Sequence, residues 1–167
     1  RDQDVFSGQW NGSDYYNLSE YKYNDSFWGF NEIWMQYYNI IKNANSAIEA
    51  LDGYAQHCTT EAQQKANRAY IGEVKFMRAY AYFRLIQAFG TCTILRDNNQ
   101  TDLRRSTAEA VYKYALEDLQ YGMDNMPRIR PNQSEHKGAV TAFTAATLAA
   151  KIYLNQGNYQ RVEELTD

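Results

Sequence analysis

The side chains that most often perform catalysis or bind metal are sparse in this sequence and do not cluster. Its two histidines, His57 and His136, fall in separate segments, and its two cysteines are far apart in the chain. His57 precedes Cys58 directly, but a zinc site needs more ligands at set spacings, and no second pair follows. The sequence also lacks a glycine-rich phosphate loop and a serine elbow. We therefore predict no catalytic residue, no metal site and no cofactor.

A binding surface has more support, because residues 1–26 combine aromatic rings with short polar side chains. Rigid aromatic rings beside adaptable polar groups are typical of recognition surfaces. An aromatic plane can also pack against the C–H face of a sugar ring while neighbouring polar groups bind its hydroxyls. The predicted ligand-binding residues are Trp10, Asn11, Asp14, Tyr15 and Tyr16. The alternative is a loop that its aromatic side chains merely pin to the following helices.

Composition indicates a folded chain and argues against nucleic acid as a partner. Hydrophobic residues make up 44% of the 167 residues and charged residues 22%, enough to bury a core. The net charge is -3 and no basic run occurs, so we expect no nucleic-acid binding. Most of the 15 tyrosines are interpreted as helix-packing residues.

The longest helical pattern spans residues 61–90 and organises the rest of the chain. Thr60 begins a capping box with Gln63, and Gly90 follows the last apolar residue, where a helix commonly ends. One apolar face steps by three and four residues through Tyr70, Val74, Met77, Ala81, Leu85 and Ala88. A second apolar line, through Phe76, Tyr80, Phe83 and 86–89, leaves little polar surface, so we expect this helix to lie in the interior.

This helix contains three charged side chains within its apolar region and is flanked by the two cysteines. Glu73, Lys75 and Arg78 are at spacings unsuited to pairing on one helix, so we interpret them as ties to neighbouring helices or as groups that reach solvent. Cys58 and Cys92 flank the helix, and its rise places them roughly 45 Å apart. A disulfide needs Cα atoms within about 7 Å, so we predict that they do not pair.

Further helical patterns flank this central helix. A helix over 27–51 is capped by Asp25 or Ser26 and ends at Gly53. A capping box from Ser106 to Glu109 opens another helix that ends before Pro127, and a fourth covers 138–156. Small and aromatic residues between 146 and 162 have the spacing of a tetratricopeptide repeat.

The predicted fold is all-α, with antiparallel helical hairpins in a scaffold like that of tetratricopeptide repeats. An aromatic and polar loop segment (1–26) precedes a first helical hairpin (27–90). A connection (91–105) leads to a second hairpin (106–157), and the start of a truncated helix follows (158–167). The chain starts without an initiator methionine and stops inside a helical pattern, so we interpret it as a fragment.

The long helix resembles the signature of the SusD/RagB-type outer-membrane nutrient-binding lipoproteins of Bacteroidetes. The residues that carry the resemblance are 72–83, Leu85, Phe89 and Gly90. Flanking matches are Trp34, Tyr38, Ile41, Ala44, Asn45, Arg105, Ser106, Glu109, Val111, Tyr112, Asp118, Leu119, Pro127, Gly138 and 149–159. The resemblance covers roughly residues 27–165. The family commonly has glycine and proline after its Phe-Gly, where this chain continues with Thr91 and Cys92.

This resemblance implies a helical, non-enzymatic protein at the cell surface. Such proteins bind glycans, or in some members peptides, and lie as a lid over a SusC-like TonB-dependent transporter. The lipid anchor is attached near the mature N-terminus, outside this fragment, and neither Cys58 nor Cys92 is placed to carry it. Much of the ligand face usually comes from the part of the protein that follows these hairpins.

An intracellular tetratricopeptide-type adaptor that binds a peptide or protein partner is the alternative. A longer gene with a lipoprotein signal beside a transporter gene would support the surface protein, whereas a short cytoplasmic reading frame would support the adaptor. A helical enzyme would need a clustered acid–base or metal site, which this sequence does not contain.

Overall fold

The structure is a computed structural model that describes residues 14–19 and 21–166, with the side chains of residues 14, 15 and 19 outside the description. Within these ranges the chain forms six α-helices: α1 Asp14–Ser19, α2 Trp28–Tyr54, α3 Glu61–Phe89, α4 Ala108–Asn125, α5 Ala142–Asn155 and α6 Tyr159–Thr166. The only strand-like pairing among the described residues is an isolated antiparallel bridge between Cys92 and Ser106. The predicted all-α fold is confirmed.

The central helix α3 begins and ends as the sequence predicts. The Thr60 hydroxyl accepts the N–H of Gln63, and the Gln63 side chain accepts the N–H of Thr60. These two bonds satisfy donors that the first turn of a helix leaves unpaired. Gly90 follows the helix with a φ of 73°, a conformation that favours glycine, and donates its N–H to Ile86.

The buried face of α3 is only partly the predicted one. Ala81 and Leu85 are fully buried, but Tyr70 and Met77 of the predicted face are 56% and 43% exposed. Phe83 of the second predicted line is buried as well. The other buried positions include Asn67, Ile71, Gly72, Arg78 and Tyr82, which belong to neither predicted line. When a helix has two apolar faces, its sequence alone does not show which face the other helices cover. In α3 the covered face is the one whose polar side chains bond to neighbouring helices.

Three predicted helix boundaries were wrong. Helix α2 continues through Gly53 to Tyr54, because a glycine with helical dihedrals weakens a helix by only about 1 kcal/mol and does not end it. Thr107, not Ser106, caps α4, since Ser106 pairs with Cys92. Thr141 caps α5, because Gly138 has a φ of 86° and lies outside the helix.

The predicted loop over residues 1–26 contains a short helix, so that part of the prediction was also wrong. Helix α1 ends where Tyr21 adopts a φ of 57°. There the N–H groups of Tyr21 and Lys22 bond to the carbonyls of Leu18 and Asn17. These bonds satisfy the last carbonyls of the helix. Residues 1–13 and 20 lie outside the described ranges.

The chain divides into two compact units, one ending at Gln36 and the other beginning at Tyr37. In the first unit, the ring of Phe30 lies edge-on to Tyr23 and Phe27, with centroid distances of 5.4 and 5.3 Å. These edge-to-face contacts are favourable aromatic geometries.

The second unit is a series of helices that pack in chain order. The part of α2 from Tyr37 onward runs antiparallel to α3, because Asn67 donates to the Leu51 carbonyl near one end and Arg84 to the Tyr37 hydroxyl near the other. Helix α3 packs on α4, α4 on α5, and α5 on α6. None of the helices in the described ranges is long and apolar enough to cross a membrane. Cys58 and Cys92 are buried free thiols, which confirms that they do not pair.

Candidate functional site

The predicted ligand-binding residues fall where the structure describes least. Trp10 and Asn11 lie outside the described residues, and Asp14 and Tyr15 are in the first turn of α1 without described side chains. Tyr16, on the same turn, is half-buried. Neighbouring helical positions are about 100° apart around the axis, so these three positions do not share one face of α1. Their role in ligand binding stays a prediction.

Two tyrosine hydroxyls hold the connection between α3 and α4 in an extended conformation. The Tyr38 hydroxyl donates to the Thr93 carbonyl at 2.8 Å and accepts the Thr93 N–H at 2.7 Å. The Tyr82 hydroxyl makes the same pair of bonds with Leu95, at 3.3 and 2.8 Å. Backbone groups of residues two apart point to the same side of an extended chain. The two hydroxyls therefore substitute for a partner strand.

Burial of these groups alters their acid–base behaviour. Desolvation raises the pKa of Tyr38 to about 12 and that of the Cys92 thiol to about 11, and it raises the pKa of Tyr82 as well. Both hydroxyls therefore remain protonated at neutral pH and keep their donor role.

Replacing Tyr82 by phenylalanine should release this part of the connection. The Leu95 N–H would lose its acceptor inside the protein, at a cost of about 1–3 kcal/mol. Hydrogen exchange in the full-length protein should show the Leu95 amide exchanging faster, by about tenfold or more. Tyr80→Phe is the control, since Tyr80 lies on the same helix and is 37% exposed. Unchanged exchange at Leu95 in Tyr82→Phe would contradict the assigned hydrogen bond.

Amide side chains fix the rest of the connection. Asn98 donates to the Lys42 carbonyl at 3.0 Å and to the Ser46 hydroxyl at 2.8 Å, both on α2. The Gln100 side-chain amide donates to the Ile94 carbonyl at 2.8 Å, and its oxygen accepts the backbone N–H of Arg96. The connection, predicted only as a polar linker, is thus an ordered platform on the helices.

A buried charge cluster lies beneath this platform and joins three helices. Arg78 of α3 donates to both carboxylate oxygens of Asp118 on α4, at 2.7 and 2.9 Å, and to Asn45 of α2 at 2.7 Å. Lys75 donates to the same carboxylate at 2.9 Å. The guanidinium of Arg78 also lies 5.2 Å from the ring of Tyr114.

The cluster ties helices together rather than offering reactive groups. Burial opposes the charge of Arg78, but the hydrogen bonds and charge of Asp118 outweigh it and raise the pKa of Arg78. A buried charge persists when it is paired in this way. The interpretation of Lys75 and Arg78 as ties between helices is confirmed.

Two neighbouring pockets open on the connection and differ in charge. The arginine pocket has a volume of about 450 Å³ and is lined by Ile94, Arg96, Gln100, Asp102, Arg104, Arg105 and Ser106. The acidic pocket has a volume of about 300 Å³ and is lined by Asn45, Ile48, Glu49, Asp52, Arg78, Arg96, Asp97, Asn98 and Asn99. Arg96 borders both. Neither pocket is predicted from the sequence. Its only signal for the arginine pocket is the presence of three arginines between residues 96 and 105.

Within the arginine pocket, Arg96 and Arg104 each contact a neighbouring side chain. The guanidinium of Arg96 lies 5.1 Å from the centre of the Tyr114 ring, a cation–π contact. Arg104 donates to both oxygens of Asp102, the shortest contact being 2.8 Å, and these bonds lower the pKa of Asp102 to about 2. Asp102 is therefore a carboxylate throughout the physiological range.

A third pocket lies between the end of α2 and the start of α3. It has a volume of about 410 Å³ and is lined by Leu51, Tyr54, Cys58, Gln63, Ala66, Asn67 and Tyr70. Tyr54 and Tyr70 are each 56% exposed at this pocket. Asn67 donates to the Leu51 carbonyl, while its side-chain oxygen has no hydrogen-bond partner. That oxygen is buried beneath the surface, so this pocket offers mainly aromatic and aliphatic surface.

The structure gathers no metal-binding set in the part of the chain it describes. No group of three or more His, Cys, Asp or Glu side chains there could hold a metal ion. His57 and His136 are both exposed, and His57 lies in a short 3-10 segment, Ala55–His57.

Comparison with known proteins places these features in a family. Residues 2–154 match the SusD-like family, described as starch-binding and associating with the outer membrane. A SusD-like protein of Bacteroides ovatus is 30% identical over 132 residues, which are 75% of this chain and 22% of that protein. The chain spans between 22% and 25% of the length of the four curated relatives it matches.

Solved structures agree on the fold. A SusD superfamily protein from Bacteroides vulgatus has a TM-score of 0.79 at 20% identity, over 94% of this chain and 33% of that one. A structure determined with a xylogluco-oligosaccharide has a TM-score of 0.74 at 24% identity, over 95% of this chain and 32% of that one. The predicted scaffold of antiparallel, tetratricopeptide-like hairpins is confirmed.

Proposed function

Because the chain belongs to the SusD-like family, we propose that it is part of a non-enzymatic surface protein that captures oligosaccharides and delivers them to a TonB-dependent outer-membrane transporter. The observation that carries this proposal is the family match over residues 2–154. The family description names both starch binding and the outer membrane. It therefore favours a surface protein over the intracellular adaptor.

The chemistry of the described helices supports binding rather than catalysis. Their most buried charges, Arg78 and Asp118, are engaged with each other, with Lys75 and with Asn45. A general acid or base needs a proton-accepting group that reaches the substrate, and these groups are committed to holding helices together. Rigid helices joined in this way would hold a recognition surface without contributing to a reaction.

An oligosaccharide is favoured over a peptide as the ligand. One protein with the same fold was solved with a xylogluco-oligosaccharide. The proposed contact residues remain Trp10, Asn11, Asp14, Tyr15 and Tyr16. A lipid anchor outside this sequence would hold the protein at the outer membrane beside a SusC-like transporter.

A pull-down from detergent-solubilised outer membrane tests the proposed function. The full-length protein serves as bait, and mass spectrometry identifies what remains bound. We expect a large TonB-dependent barrel in amounts comparable to the bait. If the protein instead fractionates with soluble proteins and recovers no barrel, the transporter role is wrong and the adaptor becomes the better interpretation.

Replacing Trp10 by alanine should weaken oligosaccharide binding by about tenfold, which corresponds to about 1.4 kcal/mol of lost stacking. Binding of full-length protein to a panel of oligosaccharides would be measured by titration calorimetry. Tyr70→Ala is the matched control, because it removes an exposed aromatic ring that is not among the proposed contact residues and should leave affinity unchanged. If Tyr70→Ala weakens binding and Trp10→Ala does not, the ligand lies at the pocket between α2 and α3 instead.

A further inference from the structure

We propose that the arginine pocket binds the carboxylate or sulfate group of an acidic sugar, so that the glycan captured by this protein is negatively charged. This inference rests on the proposed function and names the class of oligosaccharide. It concerns the connection between α3 and α4, a different part of the chain from the predicted aromatic contacts.

The first support is the separation of charge between the two neighbouring pockets. Among the described residues that line it, the arginine pocket has three arginines and one carboxylate, so positive charge predominates there. The acidic pocket holds the carboxylates Glu49, Asp52 and Asp97, against two arginines. The chain as a whole has a net charge of -3, so this excess of positive charge is local. A concave site of one sign concentrates ligands of the opposite sign.

The second support is the rigidity of the frame that carries these arginines. The backbone on one side of the pocket is fixed by the Tyr82 hydroxyl at Leu95 and by the Gln100 side chain at residues 94 and 96. On the other side, Ser106 donates its N–H to the Cys92 carbonyl. A fixed frame reduces the entropy that a ligand must offset on binding.

The third support is the kind of group that the pocket already holds. Arg104 binds the Asp102 carboxylate through both oxygens, which shows the fork geometry that an arginine offers to a carboxylate. The guanidinium of Arg96 lies over the Tyr114 ring, so its position is restrained while the side chain remains exposed. A sugar carboxylate or sulfate would find the same chemistry at the pocket mouth. The volume of about 450 Å³ suits one sugar ring and part of the next.

Matched pairs of charged and neutral ligands test the inference. The full-length protein would be titrated with oligogalacturonate and its fully methyl-esterified form, and with dextran sulfate and unmodified dextran. We expect at least one acidic ligand to bind at least about tenfold more tightly than its neutral partner. Its affinity should fall as salt concentration rises.

Two variants should change this affinity in opposite directions. Arg96→Gln removes one positive charge and should weaken binding of the acidic ligand roughly fivefold. Asp102→Asn removes the competing carboxylate and leaves Arg104 available, so it should strengthen binding. Arg128→Gln is the matched control, because Arg128 is an exposed arginine over an aromatic ring, 5.7 Å from the centre of Phe143, and should change nothing.

The outcomes separate this inference from the proposed function. It is overturned if no acidic ligand binds, if Arg96→Gln binds like the wild type, or if Asp102→Asn weakens binding together with Arg96→Gln. Binding of neutral glycans alone overturns the acidic-sugar inference and leaves glycan capture standing. Loss of the transporter from the Arg96→Gln pull-down, with glycan binding unchanged, would assign the pocket to a protein contact and also overturn the inference.

Discussion

Replacing Asp118 by leucine should destabilise the helical scaffold by about 3–5 kcal/mol. Arg78 has only 6% of its side chain exposed, and Asp118 is the carboxylate that balances its charge. Without Asp118, the guanidinium would retain the Asn45 oxygen and the Tyr114 ring but no negative partner. Lys75, whose side chain is 20% exposed, can turn toward solvent, so the cost falls mainly on Arg78.

The double variant Asp118→Leu with Arg78→Met should recover most of this loss. Replacing both members of a buried ion pair by apolar side chains is often neutral, whereas removing one leaves an uncompensated charge. Hydrogen exchange of the α3 and α4 amides in the full-length protein would report the local free energy of opening. A double variant no more stable than Asp118→Leu would show that the buried charge is not the cause.

The exposed pair of Arg104 and Asp102 provides the matched comparison. Its shortest contact is 2.8 Å, close to the 2.7 Å of Arg78 and Asp118, but its side chains are 89% and 57% exposed. Exposed pairs contribute at most about 1 kcal/mol, so Arg104→Gln should leave the exchange of α3 and α4 unchanged. The contrast would show that burial, not distance, determines the effect.

Local signals predicted the helices because their physical causes lie within a few residues. The capping box at Thr60 and the positive φ of Gly90 follow from adjacent side chains and from the lack of a Cβ. The errors at Gly53, Ser106 and Gly138 have a tertiary or conformational origin that composition does not show. A glycine ends a helix only where the backbone leaves the helical conformation. Ser106 does not cap α4, because it pairs with Cys92 in the isolated bridge.

The polar contacts that define the platform could not be predicted, because each joins residues far apart in the sequence. Tyr38 and Thr93 are 55 residues apart, and Arg78 and Asp118 are 40 apart. Composition predicts that most tyrosines are packing residues, and the ring of Tyr82 is fully buried. Its hydroxyl, however, bonds to the backbone of Leu95, and no periodicity in the sequence reveals that contact.

The candidate sites show the same limit. Adjacent aromatic and polar residues indicate a binding surface at residues 10–16. The arginine pocket, in contrast, is formed by a loop without any periodic pattern of apolar residues. Its only sequence signal was the density of arginine between residues 96 and 105. A loop becomes a preorganised site through the side chains that fix it, and those lie on other helices.

Replacing Gly72 by valine should destabilise the packing of α3 on α4 by about 2–3 kcal/mol. A Cβ at Gly72 would lie 2.8 Å from Cγ of Met126 and 3.4 Å from the Cα of Gly122. The first distance is too short for any carbon contact, and Cγ is not the free end of the methionine side chain. The helices therefore have to separate or Met126 has to leave its buried position, where it is only 4% exposed.

Two comparisons make this prediction specific. Gly53→Val on α2 should cause no loss, because a Cβ there meets nothing within 4 Å and a side chain restricts the unfolded backbone. Met126→Ala combined with Gly72→Val should recover part of the lost stability, because the smaller side chain makes room for the new one. Thermal unfolding and hydrogen exchange of α4 in the full-length protein would measure each variant. If Gly72→Val is as stable as Gly53→Val, the glycine is not needed for the close approach of α3 and α4.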